Sequence, residues 1–316
     1  MNEENILAAI SLILGGPPPP RGIGDDAAVL PALQHPPVLT VDAAVEGVHF
    51  TRTLLSLEDV GYRATMAATS DLAAMGAEVR GLLSAITAPK DTPIADFESL
   101  ARGQREAADA LGTSVVGGNL ARGGLLTLTT TAIGECAAPV LRSGARVGDL
   151  VGVFGPLGLA NAGLRLLLAH QGEATSAGAD DYPDTYICIE AFRRPFARLD
   201  EGRVLRDVAT SALDVSDGLA VDGARLAQAS NVRLELDEAA IAQAGGPALH
   251  AAASALGTSA AALALEGGED YALLFTAKTL PEGARLLGRV TSGPPGLVVR
   301  DDDGLQVALP TGFSHF

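Results

Sequence analysis

Five short segments set carboxylates beside small or hydroxylated residues: Gly24-Asp25-Asp26, Thr40-Val41-Asp42, Ser70-Asp71, Asp214-Val215-Ser216-Asp217-Gly218 and Gly267-Gly268-Glu269-Asp270. Taken singly, each reads as a turn carboxylate, a helix cap or a solvated surface acid. Taken together they form an oxygen-rich set suited to a hard divalent cation. Mg²⁺ and Ca²⁺ take carboxylate, hydroxyl and carbonyl ligands, and Mg²⁺ is often shared with substrate phosphates. The acids are dispersed along the chain rather than gathered in one EF-hand loop, so they can meet only through the tertiary fold. There is no Walker A sequence, and Lys90 and Lys278 are the two lysines. If ATP is handled, metal ions and a few Arg must replace the P-loop lysine.

The composition narrows the partners. At 316 residues and 47% hydrophobic, the chain can build one large domain or two. With 38 Asp and Glu against 22 Lys and Arg, its formal charge of −16 repels nucleic acid and anionic membranes. Aromatic residues make up 4% and Trp is absent, which leaves no base-stacking platform and no membrane-interface belt. Cys136 and Cys188 lie far apart with no His or second Cys nearby, so neither a zinc site nor a disulfide framework is expected, and a reducing cytoplasm fits. The apolar stretch 6–14 follows Glu3 and Glu4 where a signal peptide needs positive charge. The uncharged stretches 150–164 and 250–265 fall short of the roughly 20 apolar residues of a membrane span.

The elements that must position these acids are read from periodicity and punctuation. A capped helix over 2–14 is stopped by Gly15, Gly16 and Pro17 to Pro20; a turn leading into a strand follows over 22–30, then a second strand over 37–42. Leu57, Val60, Ala64, Ala68, Leu72 and Met75 recur at helical spacing, predicting a helix to about Gly76 with Asp71 in its last turns. An anion there opposes the helix dipole and asks for a compensating cation. A strand over 81–87, a helix over 94–111, a strand over 113–116 and an alternating Leu/Thr strand over 125–133 complete a mixed α/β first half. The glycine-punctuated stretch after Arg142 marks a boundary, giving domains 1–143 and 144–316. In the second half, 171–185 reads as a surface loop or flap. Helices are expected over 186–199 and 218–230, a strand over 232–236, an Ala-rich helical region, a strand over 271–276 and a strand-like tail.

Eight segments in order, GIGDDAAVL (22–30), LTVDAAVEGVHF (39–50), SDLAAMGAEVRG (70–81), VVGGN (115–119), RSGARVGDL (142–150), ALDVSDGLAVD (212–222), EGGEDYALLFT (266–276) and GFSHF (312–316), resemble the thiamine-monophosphate kinase family of the aminoimidazole-ribonucleotide-synthetase-like superfamily. That resemblance implies a two-domain α/β chain of the α+β type. Its N-terminal mixed sheet would pair with a second copy in a homodimer barrel, and ATP and thiamine monophosphate would bind in a cleft between the halves. By matching motifs, Asp26, Thr40, Asp42, Asp71, Asn119 and Asp214 would bind several magnesium ions, and Asp217 a further one. Gly118, Asn119, Arg142 and Ser216 would contact ATP; His49, Glu269 and Phe313 would contact the thiamine phosphate.

The implied reaction is ATP-dependent phosphorylation of thiamine monophosphate to thiamine diphosphate by direct in-line transfer. Two polyanions must be aligned, and the acceptor phosphate is already ionised near pH 7, so no general base is assigned. The chain departs from the family pattern in three places. Gly117-Gly118-Asn119-Leu120 stands where the family usually has Gly-Gly-Asp-Thr, Arg102-Gly103 where an aromatic residue tends to precede Gly, and Ala43 where Thr is common. The lost carboxylate at 119 predicts weaker metal affinity or one ion fewer. The rival readings are another ATP-using enzyme of the superfamily and a homologue weakened in catalysis. Selenophosphate synthetase is disfavoured by the missing reactive Cys and Lys near the start, the hydrogenase-maturation member by the Ser314-His315-Phe316 ending.

Overall fold

A computed structural model describes residues 3–15, 22–24, 26–170 and 174–310. The chain divides into two compact units, one formed by Met1–Leu72, Ala77–Ala137 and Glu173–Thr175, the other by Ala73–Gly76, Ala138–Gly172 and Ser176–Phe316.

The first unit contains a 4-stranded sheet ordered β1-β4-β2-β3, from β1 (Pro37–Val45), β2 (Glu78–Ala88), β3 (Val115–Arg122) and β4 (Thr127–Glu135). β4 runs antiparallel to both β1 and β2, while β3 lies parallel to β2, joined to it through helix α3 (Ile94–Ala110). Alternation decides the faces: Leu128, Thr130 and Ala132 of β4 are buried, and the intervening Thr127, Thr129, Thr131 and Ile133 are half-buried. The buried face meets the helices, since Ser84 donates to Gln104 of α3 at 3.0 Å. Helix α2 (Leu57–Ala74) is buried without interruption from Val60 to Ser70. Thr65 and Thr69 satisfy their hydroxyls on the carbonyls one turn back, at 2.9 and 2.8 Å, which lets polar side chains sit in a buried helix. α2 and α3 touch backbone to backbone at two glycines. A β-carbon on Gly61 would overlap the Leu100 carbonyl, and one on Gly103 the Glu58 carbonyl. Helix α1 (Glu3–Leu14) is an amphipathic helix whose Ile6 and Leu14 are buried.

The second unit holds a 6-stranded sheet ordered β10-β7-β9-β5-β8-β6. Its strands are β5 (Leu150–Phe154), β6 (Ala209–Val215), β7 (Arg233–Asp237), β8 (Ala272–Ala277), β9 (Arg285–Thr291) and β10 (Gly296–Arg300). Helices α4 (Leu159–Ala169), α5 (Tyr186–Arg193), α6 (Leu199–Val208), α7 (Leu219–Ser230), α8 (Glu238–Ala244), α9 (Gly246–Leu256) and α10 (Ala260–Glu266) accompany it. One apolar core joins Val151 and Val153 of β5, Leu213 and Val215 of β6, Leu226 of α7 and Leu274 of β8. No single described helix is long and apolar enough to cross a membrane.

Two expected elements differ, and two strands form where none was expected. Of the turn and strand expected over 22–30, the turn forms at Gly24, φ 109, and among the described residues the strand is reduced to single bridging residues at Ile23 and Val29. The helix expected over 186–199 ends at Arg193, because Pro195 cannot continue it and turns Arg194 to φ −132. β5 and β6 form where glycines and short polar residues hide the strand pattern. Asn2, Pro17 to Pro20 and the start of the 171–185 loop lie outside the described residues.

Candidate active site

In the first unit, β1 offers two hard oxygen donors on the helix-facing side of the sheet. Thr40 and Asp42 are two residues apart, paired with Ala132 and Thr130 of β4. α2 brings its last turns over this strand, and the Thr40 hydroxyl donates to Asp71 Oδ2 at 2.5 Å. One oxygen of Asp42 accepts the Ala43 N–H at 2.8 Å. The structure thus brings together a hydroxyl and a carboxylate that lie 31 residues apart, with a second carboxylate next along the same face. Asp26 is exposed in the turn that follows Gly24.

The end of β1 turns sharply at Gly47, whose φ is 82. That turn folds His49 back on the strand: its N–H donates to the Val45 carbonyl at 2.9 Å, and its Nδ1 accepts the Val45 N–H at 3.2 Å. With Nδ1 as acceptor, a neutral imidazole carries its proton on Nε2 and offers a donor there.

Gly118 and Asn119 lie exposed on β3, an edge strand of the sheet. A β-carbon at 118 would overlap the Ser84 carbonyl, so only glycine lets β3 approach β2 this closely. By register Asn119 falls in the row Ala43–Thr129–Ala85–Asn119, on the opposite face from Thr40 and Asp42. Arg102 does not stand free for a phosphate. It bonds Glu58 of α2 at 3.3 Å and Ser99 at 2.8 Å, spanning the two helices whose close contact Gly103 permits.

In the second unit, the turn between β6 and α7 organises the site. Asp214 is buried at the end of β6; Ser216 and Asp217 are half-buried, and Gly218 adopts φ 102 to enter α7. The turn is held by Asp222, one helical turn later, whose Oδ2 accepts the N–H groups of Ser216 at 2.9 Å and Asp217 at 2.8 Å. Burial pushes the Asp222 carboxyl up, opposed by the Asp217 N–H. Arg225 Nη1 then bridges Asp222 Oδ1 at 2.8 Å and Asp217 Oδ2. Arg142 is exposed, and its backbone is latched to the end of α7. Ser230 Oγ donates to the Arg142 carbonyl at 3.0 Å and accepts from Gly144 and Ala145 at 3.1 and 3.2 Å.

The Gly-Gly-Glu-Asp segment lies against this turn. Glu269 N–H donates to the Ser216 carbonyl at 2.9 Å and Tyr271 N–H to the Val215 carbonyl at 3.0 Å. Asp270 is buried beneath them, accepting the N–H groups of Gly158 at 2.5 Å and Ala160 at 3.0 Å at the start of α4. Burial pushes Asp270 up to about 7, opposed by the Ala160, Gly158 and Leu159 N–H groups and by Arg198. Phe313 lies outside the described residues.

Among the described residues, no three His, Cys, Asp or Glu side chains converge as a self-sufficient metal cage. The donors present are nonetheless those magnesium takes. Hydroxyl and carboxylate oxygens dominate, no thiolate intervenes, and one or two carboxylates plus phosphates commonly complete its shell. Asp222, Asp270 and Ser230 are the residues that sequence reasoning gave no role. For the two acids the available signal was a carboxylate adjoining a glycine-rich turn and a helix start.

The chain as a whole is similar to known proteins. Residues 24–136 match the family described as AIR synthase related protein, N-terminal domain. A thiamine-monophosphate kinase of Mycobacterium tuberculosis is 37% identical over 299 residues, covering 93% of this chain and 85% of that protein. That of Aquifex aeolicus is 34% identical over 298 residues, covering 93% and 92%. A solved structure of AaThiL complexed with AMPPCP and TMP superposes with a TM-score of 0.80 at 32% identity, over 99% of this chain and 97% of that one. With this identity sustained along nearly the whole length of both proteins, the chain belongs to the thiamine-monophosphate kinase family.

Proposed function

We propose that the chain transfers the γ-phosphoryl group of ATP directly to thiamine monophosphate, giving thiamine diphosphate and ADP. The observation that carries this reading is the Thr40–Asp71 pair beside Asp42, hard oxygens gathered at the C-terminal end of a helix, where the dipole calls for a cation. Thr40, Asp42, Asp71 and Asp26 in the first unit, with Asp214 and Asp217 in the second, are the residues proposed to hold magnesium. When bound, magnesium supplies charge neutralisation and alignment for the phosphates.

The chain's own groups orient the reactants. Gly118 and Asn119 on the exposed edge of β3, Arg142 and the Ser216 turn are assigned to ATP. Asn119, a neutral amide where the family usually has a carboxylate, can ligate only through its carbonyl. His49 is assigned to the thiamine phosphate through its Nε2–H, Glu269 to the same substrate, and Phe313 to its aromatic ring. No side chain is assigned as a general base, because the attacking phosphate oxygen is ionised near neutrality. Stabilisation therefore rests on fixed charges and dipoles, the usual design for phosphoryl transfer.

Two copies of the chain are proposed to pair through the open face of the first sheet. Leu39 and Val41 on β1 are each 63% exposed and share that face with half-buried Thr131 and Ile133. Light scattering on the purified protein should give twice the chain mass. The buried cysteines Cys136 and Cys188, neither of them in a disulfide, accord with a cytoplasmic site of action. Neither nucleic acid nor a membrane is proposed as a partner of a chain with formal charge −16.

The deciding assay incubates protein with ATP, Mg²⁺ and thiamine monophosphate and measures thiamine diphosphate and ADP. Stoichiometric formation of both, abolished by a chelator, is the expected result. Nucleotide binding without turnover would instead favour a weakened homologue, the reading motivated by Asn119, and ADP formation that ignores thiamine monophosphate would favour another ATP-using member of the superfamily.

A further inference from the structure

We propose that Asp270 is a positioning residue, whose buried carboxylate clamps a strained backbone so that Glu269 is presented to the substrate and locked to the Ser216 turn. The proposal rests on the assignment of Glu269 to the thiamine phosphate. Three observations carry it.

Glu269 and Tyr271, on either side of Asp270, adopt φ 66 and φ 48, a left-handed region that residues with a β-carbon rarely occupy. Asn231 is the other non-glycine residue with positive φ among those described, and it caps a helix, as Asn commonly does. Two such residues within three positions persist only where the surroundings over-determine them. Here the surroundings are identifiable.

Asp270 supplies the central restraint. Helix α4 begins at Gly158, φ 81, with no side-chain cap of its own. Asp270 takes that place from a distant part of the chain, one carboxylate oxygen on Gly158 N–H at 2.5 Å and the other on Ala160 N–H at 3.0 Å. A carboxylate at this end also has the favourable sense relative to the helix dipole. Two backbone bonds then fix the residues on either side, Glu269 N–H to Ser216 at 2.9 Å and Tyr271 N–H to Val215 at 3.0 Å.

The glycines before it permit the approach. A β-carbon on Gly267 would overlap Asn161 of α4, and one on Gly268 the Ser216 carbonyl. The segment is therefore pressed on both sides, by the start of α4 and by the β6–α7 turn. Residues assigned to ATP and to the acceptor consequently meet at one backbone seam, whose Ser216 side is held by Asp222 and whose Glu269 side is held by Asp270.

The test compares Asp270→Asn with wild type in the full-length protein. Because small misplacements of a binding group are costly, KM for thiamine monophosphate should rise about tenfold or more while binding of a nonhydrolysable ATP analogue changes less than about threefold. Hydrogen exchange should show lost protection at Glu269 and Tyr271 as well as at Gly158 and Ala160. Deprotection confined to the first turn of α4 would mean a simple helix cap and would overturn the proposal, as would unchanged exchange throughout.

Glu269→Gln separates the two readings. If that variant keeps the wild-type KM for thiamine monophosphate, the substrate assignment of Glu269 fails, while the exchange pattern still decides the clamp. Should Asp270→Asn not fold, native-state exchange of the wild type in rising denaturant is the measurement. The four amides should open together; separate openings for the α4 pair and the Glu269/Tyr271 pair would overturn the clamp.

Discussion

The Thr40 hydroxyl donates to the Asp71 carboxylate at 2.5 Å, tying an edge strand to the final turns of a helix buried along most of its length. The bond orients the carboxylate while leaving its second oxygen to other partners. It also places a hydroxyl and an anion where a phosphate-bound cation is expected.

Asp71→Asn keeps an acceptor for Thr40 and removes the charge. Turnover at saturating Mg²⁺ should fall on the order of 100-fold or more, the scale of losing one electrostatic contact to a transferring group. Stability should shift by less than about 1 kcal/mol. Coupled ADP assays and thermal unfolding measure the two effects, and near-normal turnover would remove Asp71 from the metal set.

Arg225 sits on Asp217, one of the proposed metal carboxylates, and competes with any cation there. Arg225→Gln should therefore lower the Mg²⁺ concentration for half-maximal activity by about 2–5-fold, the equivalent of the ~0.5–1 kcal/mol typical of an exposed ion pair. A rightward shift of the Mg²⁺ titration would show that Arg225 supports the site instead of competing for it.

Glu135 gives a pH signature. The His35 N–H, together with the Gln34 N–H and the Arg80 guanidinium and against the effect of burial, holds its carboxyl below the ordinary value of 4.5. A depressed native pKa means stability that is fully present above the unfolded value and is lost as pH falls through the folded one. The urea midpoint of Glu135→Gln should thus lie below wild type at neutral pH, and the two should converge as the solution is acidified below 4.5. A gap of constant size down to strongly acidic pH would contradict this.

Gly103→Ala forces a methyl group into the Glu58 carbonyl, backbone against backbone. Overpacking of this kind costs about 1–3 kcal/mol, or more where neither side can yield. Urea unfolding would read it, and an unchanged midpoint would mean that α2 and α3 separate freely.

Much of this arrangement is legible in the residues themselves. The three- and four-residue spacing from Leu57 to Met75 predicts α2 and puts Asp71 near its end; the Leu/Thr alternation of 125–133 predicts β4 and its two unlike faces. The acid-bearing turns are visible because glycine and serine surround them. What could not be read is pairing over distance. Asp270 and Asp222 matter through backbone N–H groups they accept, and nothing in a carboxylate's neighbours says which N–H it will meet after folding. β6 escaped because Ala, Thr and Ser weaken its strand pattern, although it carries Asp214. Pro195 was a readable break between α5 and α6 that helical composition on both sides concealed.

β1 serves two masters by alternation: Leu39 and Val41 on one side, Thr40 and Asp42 on the other. A substitution alters one position on one side. Deleting or inserting a single residue between Thr40 and Asp42 would put one half of the strand on the wrong side, parting the two proposed metal donors across the sheet. Length within β1 is therefore constrained more tightly than length in the irregular stretch before it, and a library varying both should recover many insertions at 31–36 and very few at 39–42.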